Sequence, residues 1–284
     1  MDADCIATPL ALQKMVGYFE NPQVMAVAPS VKIFGQRTFL QRIQVIEFLS
    51  ATIIRKIFSY LGAVPLVPGP LSLFRKSFFE QYGGYAEQNL TEDIELSLRI
   101  ESKRFLIESA LDANVYTTAH SSLRKVFQQR LRWFKGFIDN MWTYRYLFTP
   151  KYGNLGIFVL PASVLSIVLG VIMFFYGLGK LLIRGLQQLY HFYLIGFDIR
   201  HWLEVNFDVF FISTSARAIL PIVLLAISIT LLWLAKRHSR ERQPIVRSTA
   251  YFLLTYWFLA AVCWISAGWY KATGKKIRWG PNLL

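Results

Sequence analysis

Three short stretches combine residue types that could do chemistry. Asp2-Ala3-Asp4 places two carboxylates one residue apart. On an extended backbone both face the same side, and such a pair can hold Mg²⁺ or Mn²⁺ against a diphosphate. Thr91-Glu92-Asp93 stands at the mouth of an amphipathic run over residues 94–103. In the structural reading Thr91 is an N-cap, while Glu92 and Asp93 complement the positive end of the helix dipole. In the chemical reading a carboxylate there serves a reaction. Gln129-Arg130-Leu131-Arg132-Trp133 puts Gln129, Arg132 and Trp133 at i, i+3 and i+4, on one helical face. An amide, a guanidinium and an indole so clustered suit a nucleotide diphosphate and a sugar ring. The same helix also reads as a basic interfacial one, because Arg124, Lys125, Arg130 and Lys135 can snorkel toward lipid headgroups.

The elements that must position these groups follow from pattern and punctuation. Residues 8–19 read as a helix, with Pro9 in its first turn and Asn21-Pro22 as its stop. Residues 24–33 form an apolar, β-rich run expected to be a buried strand. Residues 39–61 are amphipathic, with Ile43, Ile46, Ile53, Ile54 and Ile57 as the stripe, and fit a core-packing or a membrane-surface helix equally. Val67-Pro68-Gly69-Pro70 is turn punctuation, and Gly83-Gly84 breaks the helix begun near Arg75. Residues 104–118 suit strands, and residues 123–147 a long helix.

Bulk properties set the class. The chain has 284 residues, a hydrophobic fraction of 54% and a net charge of +14, with a mean hydropathy of +0.37. Those values are too apolar for an ordinary soluble domain. The basic excess flanks apolar spans, as at Lys236, Arg237, Arg240 and Arg242. It therefore points to a lipid bilayer and not to nucleic acid. The two cysteines, Cys5 and Cys263, lie in different segments and suggest neither a disulfide nor a thiolate metal site. Residues 153–179, 218–235 and 249–269 are each read as membrane-spanning, the second reaching about 27 Å at 1.5 Å per residue. The basic stretch 236–247 is placed in the cytoplasm, and the region 2–147 with it. Three spans would then put the basic tail 271–278 outside, so one segment is read as re-entrant. Residues 181–197 are either that segment or an external amphipathic stretch.

The ordered set of motifs resembles the processive family 2 glycosyltransferases of membranes, among them cellulose, chitin, hyaluronan and poly-N-acetylglucosamine synthases. The resemblance covers residues 2–133, with a membrane tail where that family has one. It implies a partial GT-A-like α/β domain over residues 1–150 and an α-helical transmembrane domain over 151–284. It also implies transfer, with inversion, from a UDP-sugar donor to a polysaccharide acceptor at the cell (inner or plasma) membrane, the transferase domain being cytoplasmic. The acidic turn Thr91-Glu92-Asp93 is then catalytic, with Asp93 as the general base. Asp2 and Asp4 would hold the Mg²⁺ or Mn²⁺. Gln129, Arg130 and Arg132 would surround the diphosphate, Trp133 would cap the acceptor end, and Gly69 would lie beside the acceptor sugar. Nothing but Met1 precedes Asp2. The strand that would seat this pair, and the βα unit for uracil and ribose, are expected in a separately encoded or missing N-terminal half, leaving the pair frayed. Two other readings stand beside this one: addition of a single sugar to a lipid carrier, and a non-catalytic membrane subunit retaining the motifs.

Overall fold

The computed structural model describes residues 4–194, 216–241 and 243–277. Its centre is a four-stranded sheet of order β1-β4-β2-β3, in which β2 (Val24–Phe34) and β4 (Leu106–Thr118) run parallel. The strands β1 (Ile6–Ala7) and β3 (Leu73–Phe74) are two residues each and pair antiparallel at the flanks. β2 is buried along nearly its whole length, as a strand covered on both faces must be, and its run of Val, Ala and Ile is the reason. Past Val27 its free edge is covered by α2 (Phe39–Tyr60), where the buried Arg55 donates to the Pro29 carbonyl at 3.4 Å. The helix expected over 8–19 is shorter: α1 (Ala11–Val16) tightens into a 3₁₀ turn at Gly17–Glu20.

α2 is the hinge between sheet and membrane layer. It opens with a capping box: Gln41 N–H donates to Thr38 Oγ1 at 3.3 Å, and Thr38 N–H to Gln41 Oε1 at 3.0 Å. Gln41 and Gln44 then donate to the carbonyls of Ala119 and His120, steering the chain into α5 (Leu123–Thr143). Ile46, Leu49 and Ile53 pack with Leu232 and Ala235. α2 therefore packs on the sheet on one side and on α7 (Ala216–His238) and α8 (Val246–Ala272) on the other, in keeping with the core-packing reading of its stripe, while Ile54 and Ile57 stay exposed. α3 (Lys76–Tyr82) ends at Gly83, which needs its positive φ of 86°. α4 (Glu92–Ser102) follows and packs Leu96 and Ile100 into the sheet core.

Among the described residues, three helices are long and apolar enough to cross a membrane: α6 (Leu160–Leu194), preceded by a π turn at Leu155–Val159, α7 (Ala216–His238) and α8 (Val246–Ala272). α6 runs well past residue 179 as one helix to Leu194, absorbing most of the stretch assigned to a re-entrant or external segment; residues 195–197 lie outside the described residues. The turn after α7 packs on the sheet, where the buried Lys32 donates to the Ser239 carbonyl at 2.6 Å and pairs with Glu241 at 3.6 Å. α8 lies along α2 and α5. Tyr251 meets Phe39 with ring centres 4.8 Å apart, Trp264 stacks on Phe134 at 4.0 Å, and Lys271 donates to Asp139 at 2.6 Å.

Candidate active site

The acidic turn is built from behind by α5. Asn89 and Asn140 exchange amide hydrogen bonds at 2.8 and 3.2 Å, and Asn140 also donates to Thr91 Oγ1 at 2.9 Å. Asn140 is 1% exposed, so its donors are fully committed. Thr91 makes no cap: its side chain accepts nothing from the first turn of α4, and it is 2% exposed. The capping reading is thereby corrected: the Thr91 hydroxyl accepts from Asn140 and belongs to the frame behind Asp93. Asn89 Oδ1 instead takes the Thr91 N–H at 3.0 Å. Arg132 completes the join by donating to the Leu90 carbonyl at 3.2 Å.

Asp93 emerges half-buried from this frame. Burial raises its carboxyl pKa, against the Ile94 N–H that donates to it at 2.9 Å. Glu92, exposed beside it, raises it further while Arg132 lowers it, and the net is a pKa pushed up to about 6. That suits a proton acceptor working near neutrality. α4 also fixes the turn containing Gly69. Ser97 accepts the Val67 N–H at 2.9 Å and donates to the Asp93 carbonyl at 2.6 Å, and Glu101 accepts the Val64 N–H at 2.7 Å. Arg55 holds the same segment from the other side through the Leu66 carbonyl at 3.2 Å. Gly69 itself is exposed in a bend, and Leu71 follows at a φ of +49°, an uncommon backbone state for a leucine.

Along α5 the motif divides. Arg132 faces the acidic turn, but Arg130 is 1% exposed and its guanidinium pairs with Glu47 of α2. The expectation that Arg130 lines the diphosphate is therefore corrected: its charge is consumed inside the helix packing. Arg130 also donates to Gln129 Oε1 at 2.9 Å and lies 4.2 Å from the Trp133 ring centre. Phe48 meets the other part of that indole edge-on, at 6.3 Å.

Asp2 lies outside the described residues. Asp4 precedes β1 and does not end a strand. It is nonetheless anchored, because Thr117 and Thr118 at the end of β4 both donate to its Oδ2 at 3.1 Å. Partial burial works to raise its pKa, but the Thr118 and Thr117 hydroxyls outweigh that and hold it below the ordinary value. An ionised carboxylate is a fit oxygen ligand for Mg²⁺ or Mn²⁺. Among the described residues no group of three or more His, Cys, Asp or Glu side chains forms a metal cage. A groove of about 680 Å³ between α5, α6 and α8 is lined by apolar side chains such as Met141, Val168 and Trp264, and none of the candidate residues borders it.

Sequence reasoning missed Asn140, Gly136 and Glu47, and it placed Asn89 at the head of the acidic stretch without giving it a role. Gly136 carried the one available signal, a glycine inside an otherwise helical run.

Residues 1–136 match the family described as glycosyltransferase like family 2. Poly-beta-1,6-N-acetyl-D-glucosamine synthase of Staphylococcus epidermidis is 23% identical over 273 residues, covering 94% of this chain and 62% of that protein. Its counterpart from Staphylococcus aureus (strain COL) is 29% identical over 138 residues, 48% of this chain and 34% of that protein. The chain thus spans 62% of the length of the first of these relatives.

Proposed function

We propose, from the match of residues 1–136 to glycosyltransferase family 2, that this membrane protein extends a polysaccharide by inverting transfer from a UDP-sugar. The relatives that make poly-β-1,6-N-acetylglucosamine favour UDP-N-acetylglucosamine as the donor. Asp93 takes the proton from the acceptor hydroxyl. The freed oxygen forms its bond to the anomeric carbon as the bond from that carbon to the UDP phosphate oxygen breaks, and UDP leaves with the electron pair. Arg132, held against the acidic turn, meets the negative charge of the diphosphate. Gln129 borders it, Trp133 offers its face to the acceptor sugar, and the turn at Gly69 lies beside that sugar. Asp4, with Asp2, would hold a divalent cation that neutralises charge on the leaving diphosphate.

The observation that carries this reading is the junction of α4 with α5, which brings a carboxyl of pKa about 6 and a guanidinium to the same turn. The turn at Ser239–Glu241 packs on the sheet, which supports a common side for the domain and that turn; the basic stretch 236–247 favours the cytoplasm for both. The test is incorporation of radiolabelled N-acetylglucosamine from UDP-N-acetylglucosamine by the membrane-embedded protein. A polymer that lengthens with time supports the reading; a lipid-linked monosaccharide, or no transfer from any UDP-sugar, contradicts it.

A further inference from the structure

The buried cluster around Arg130 has a role that the transfer step does not use. Glu47 reaches two ways from the middle of α2. Its Oε2 pairs with the Arg130 guanidinium, and its Oε1 accepts the Tyr256 hydroxyl of α8 at 2.9 Å. Arg130 in turn touches both of the motif's substrate-facing side chains, bonding the Gln129 amide at 2.9 Å and lying 4.2 Å from the centre of the Trp133 ring. Phe48, next to Glu47, sets the edge of the same indole. One carboxylate therefore connects α8 to the amide that would border the diphosphate and to the indole that would meet the sugar chain.

A charge pair this buried is a costly way to fasten helices. Its members lose hydration, and hydrophobic residues of similar volume would often hold the same packing at least as well. What apolar packing cannot supply is direction: a carboxylate shared between a guanidinium and a phenol fixes the plane of the guanidinium, and with it the indole beneath. We propose that Glu47 is a positioning residue for the acceptor end of the site, orienting Trp133 through Arg130 and registering it against α8 through Tyr256. This rests on the proposed transfer reaction for its consequence but not for its geometry. Movement of α8 relative to α2 would then reorient the indole that caps the growing chain.

The test compares Glu47→Gln, Glu47→Asp and Tyr256→Phe in the membrane-embedded protein. Removing one partner of a buried charge pair is expected to raise the KM for an oligosaccharide acceptor roughly tenfold or more in Glu47→Gln, with a smaller rise in the donor KM, because Arg130 also holds Gln129 beside the diphosphate. Tyr256→Phe shifts the acceptor KM the same way by a smaller factor, and Glu47→Asp restores part of the loss. A second readout needs no turnover: acrylamide quenching assigned to Trp133 by subtracting the spectrum of Trp133→Phe. It should increase in Glu47→Gln, since the guanidinium no longer shields the ring. Unchanged Trp133 quenching in a folded Glu47→Gln protein overturns the proposal. So does a fall in kcat with unchanged acceptor KM. Absence of transfer by the unaltered protein counts against the reaction and leaves the quenching result to decide the positioning role.

Discussion

A Cβ added to Gly136 would overlap the Thr91 hydroxyl oxygen and come within 2.5 Å of Thr91 Cγ2. The helix that carries Arg132 and the turn that carries Asp93 therefore meet where only a glycine fits. Close approach at this crossing is what lets Asn140, one turn further on, reach Asn89 and Thr91.

Gly136→Ala should accordingly lower the melting temperature and transfer activity together. Helix propensity alone would favour alanine by about 1 kcal/mol, but overpacking costs about 1–3 kcal/mol, and here the Thr91 atoms it would meet sit on a helix start tied down by Asn89, Asn140 and Arg132. Gly170→Ala in α6 is the control, because its added Cβ meets nothing within 4 Å. Thermal unfolding in detergent decides it: an alanine at 136 that melts no lower than the unaltered protein would mean the helices are not in contact there.

Glu101 supplies a pH signature for the turn beneath the acceptor. Burial, opposed by the Val64 N–H, pushes its carboxyl up to about 8. Because the folded value lies above the unfolded one, the folded state holds the proton more tightly. Stability is then complete near pH 4.5 and falls as pH rises toward about 8. Gln at 101 keeps the acceptor for Val64 and cannot ionise. Glu101→Gln should thus match the unaltered protein at the acid end and melt higher at pH 8, as scanning the melting temperature against pH would reveal. Parallel curves for the two proteins would exclude a buried, proton-holding Glu101.

The positions of the motif residues were legible in local spacing, Asp93 at the helix mouth and Arg132 with Trp133 on one face, while their roles came from the resemblance. The buried strand β2 and the α2 helix were readable as runs of apolar residues with the right period, but residues 104–118, read as strands, form the single strand β4. What spacing could not reveal were partners distant in the chain. Glu47 and Arg130 are separated by 83 positions, and Asn89 and Asn140 by 51. A lone Glu on an amphipathic helix or a lone Asn in a basic one looks like surface polarity until the helices are brought together. The same limit hid the contacts of α8, whose length and composition suit a span and whose neighbours include Phe39, Phe134 and Asp139.

That placement predicts the side on which the tail emerges. α5 carries Arg124, Lys125, Arg130, Arg132, Lys135 and Asp139 and cannot sit in hydrocarbon without heavy cost. α8 touches Asp139 of α5 near one end and Phe39 of α2 near the other. In a background lacking Cys5 and Cys263, cysteines at Lys275 and at the exposed Glu87 should react with an impermeant maleimide from the same face of sealed vesicles. Labelling of the two from opposite faces would show that α8 crosses.

The most direct trial of the account is the pH dependence of transfer by the unaltered protein beside Asp93→Asn. A base whose pKa is about 6 must be ionised to act, so activity should rise with pH through that value and level off above it. Asn preserves the acceptor for the Ile94 N–H and removes the base. It should cost about 10²–10⁴ in rate and abolish the acid limb, with the melting temperature at pH 8 no lower than before, since burying a neutral amide avoids the cost of burying a charge. Near-normal transfer by a folded Asp93→Asn protein, with the acid limb intact, would contradict the assignment of Asp93 as the general base.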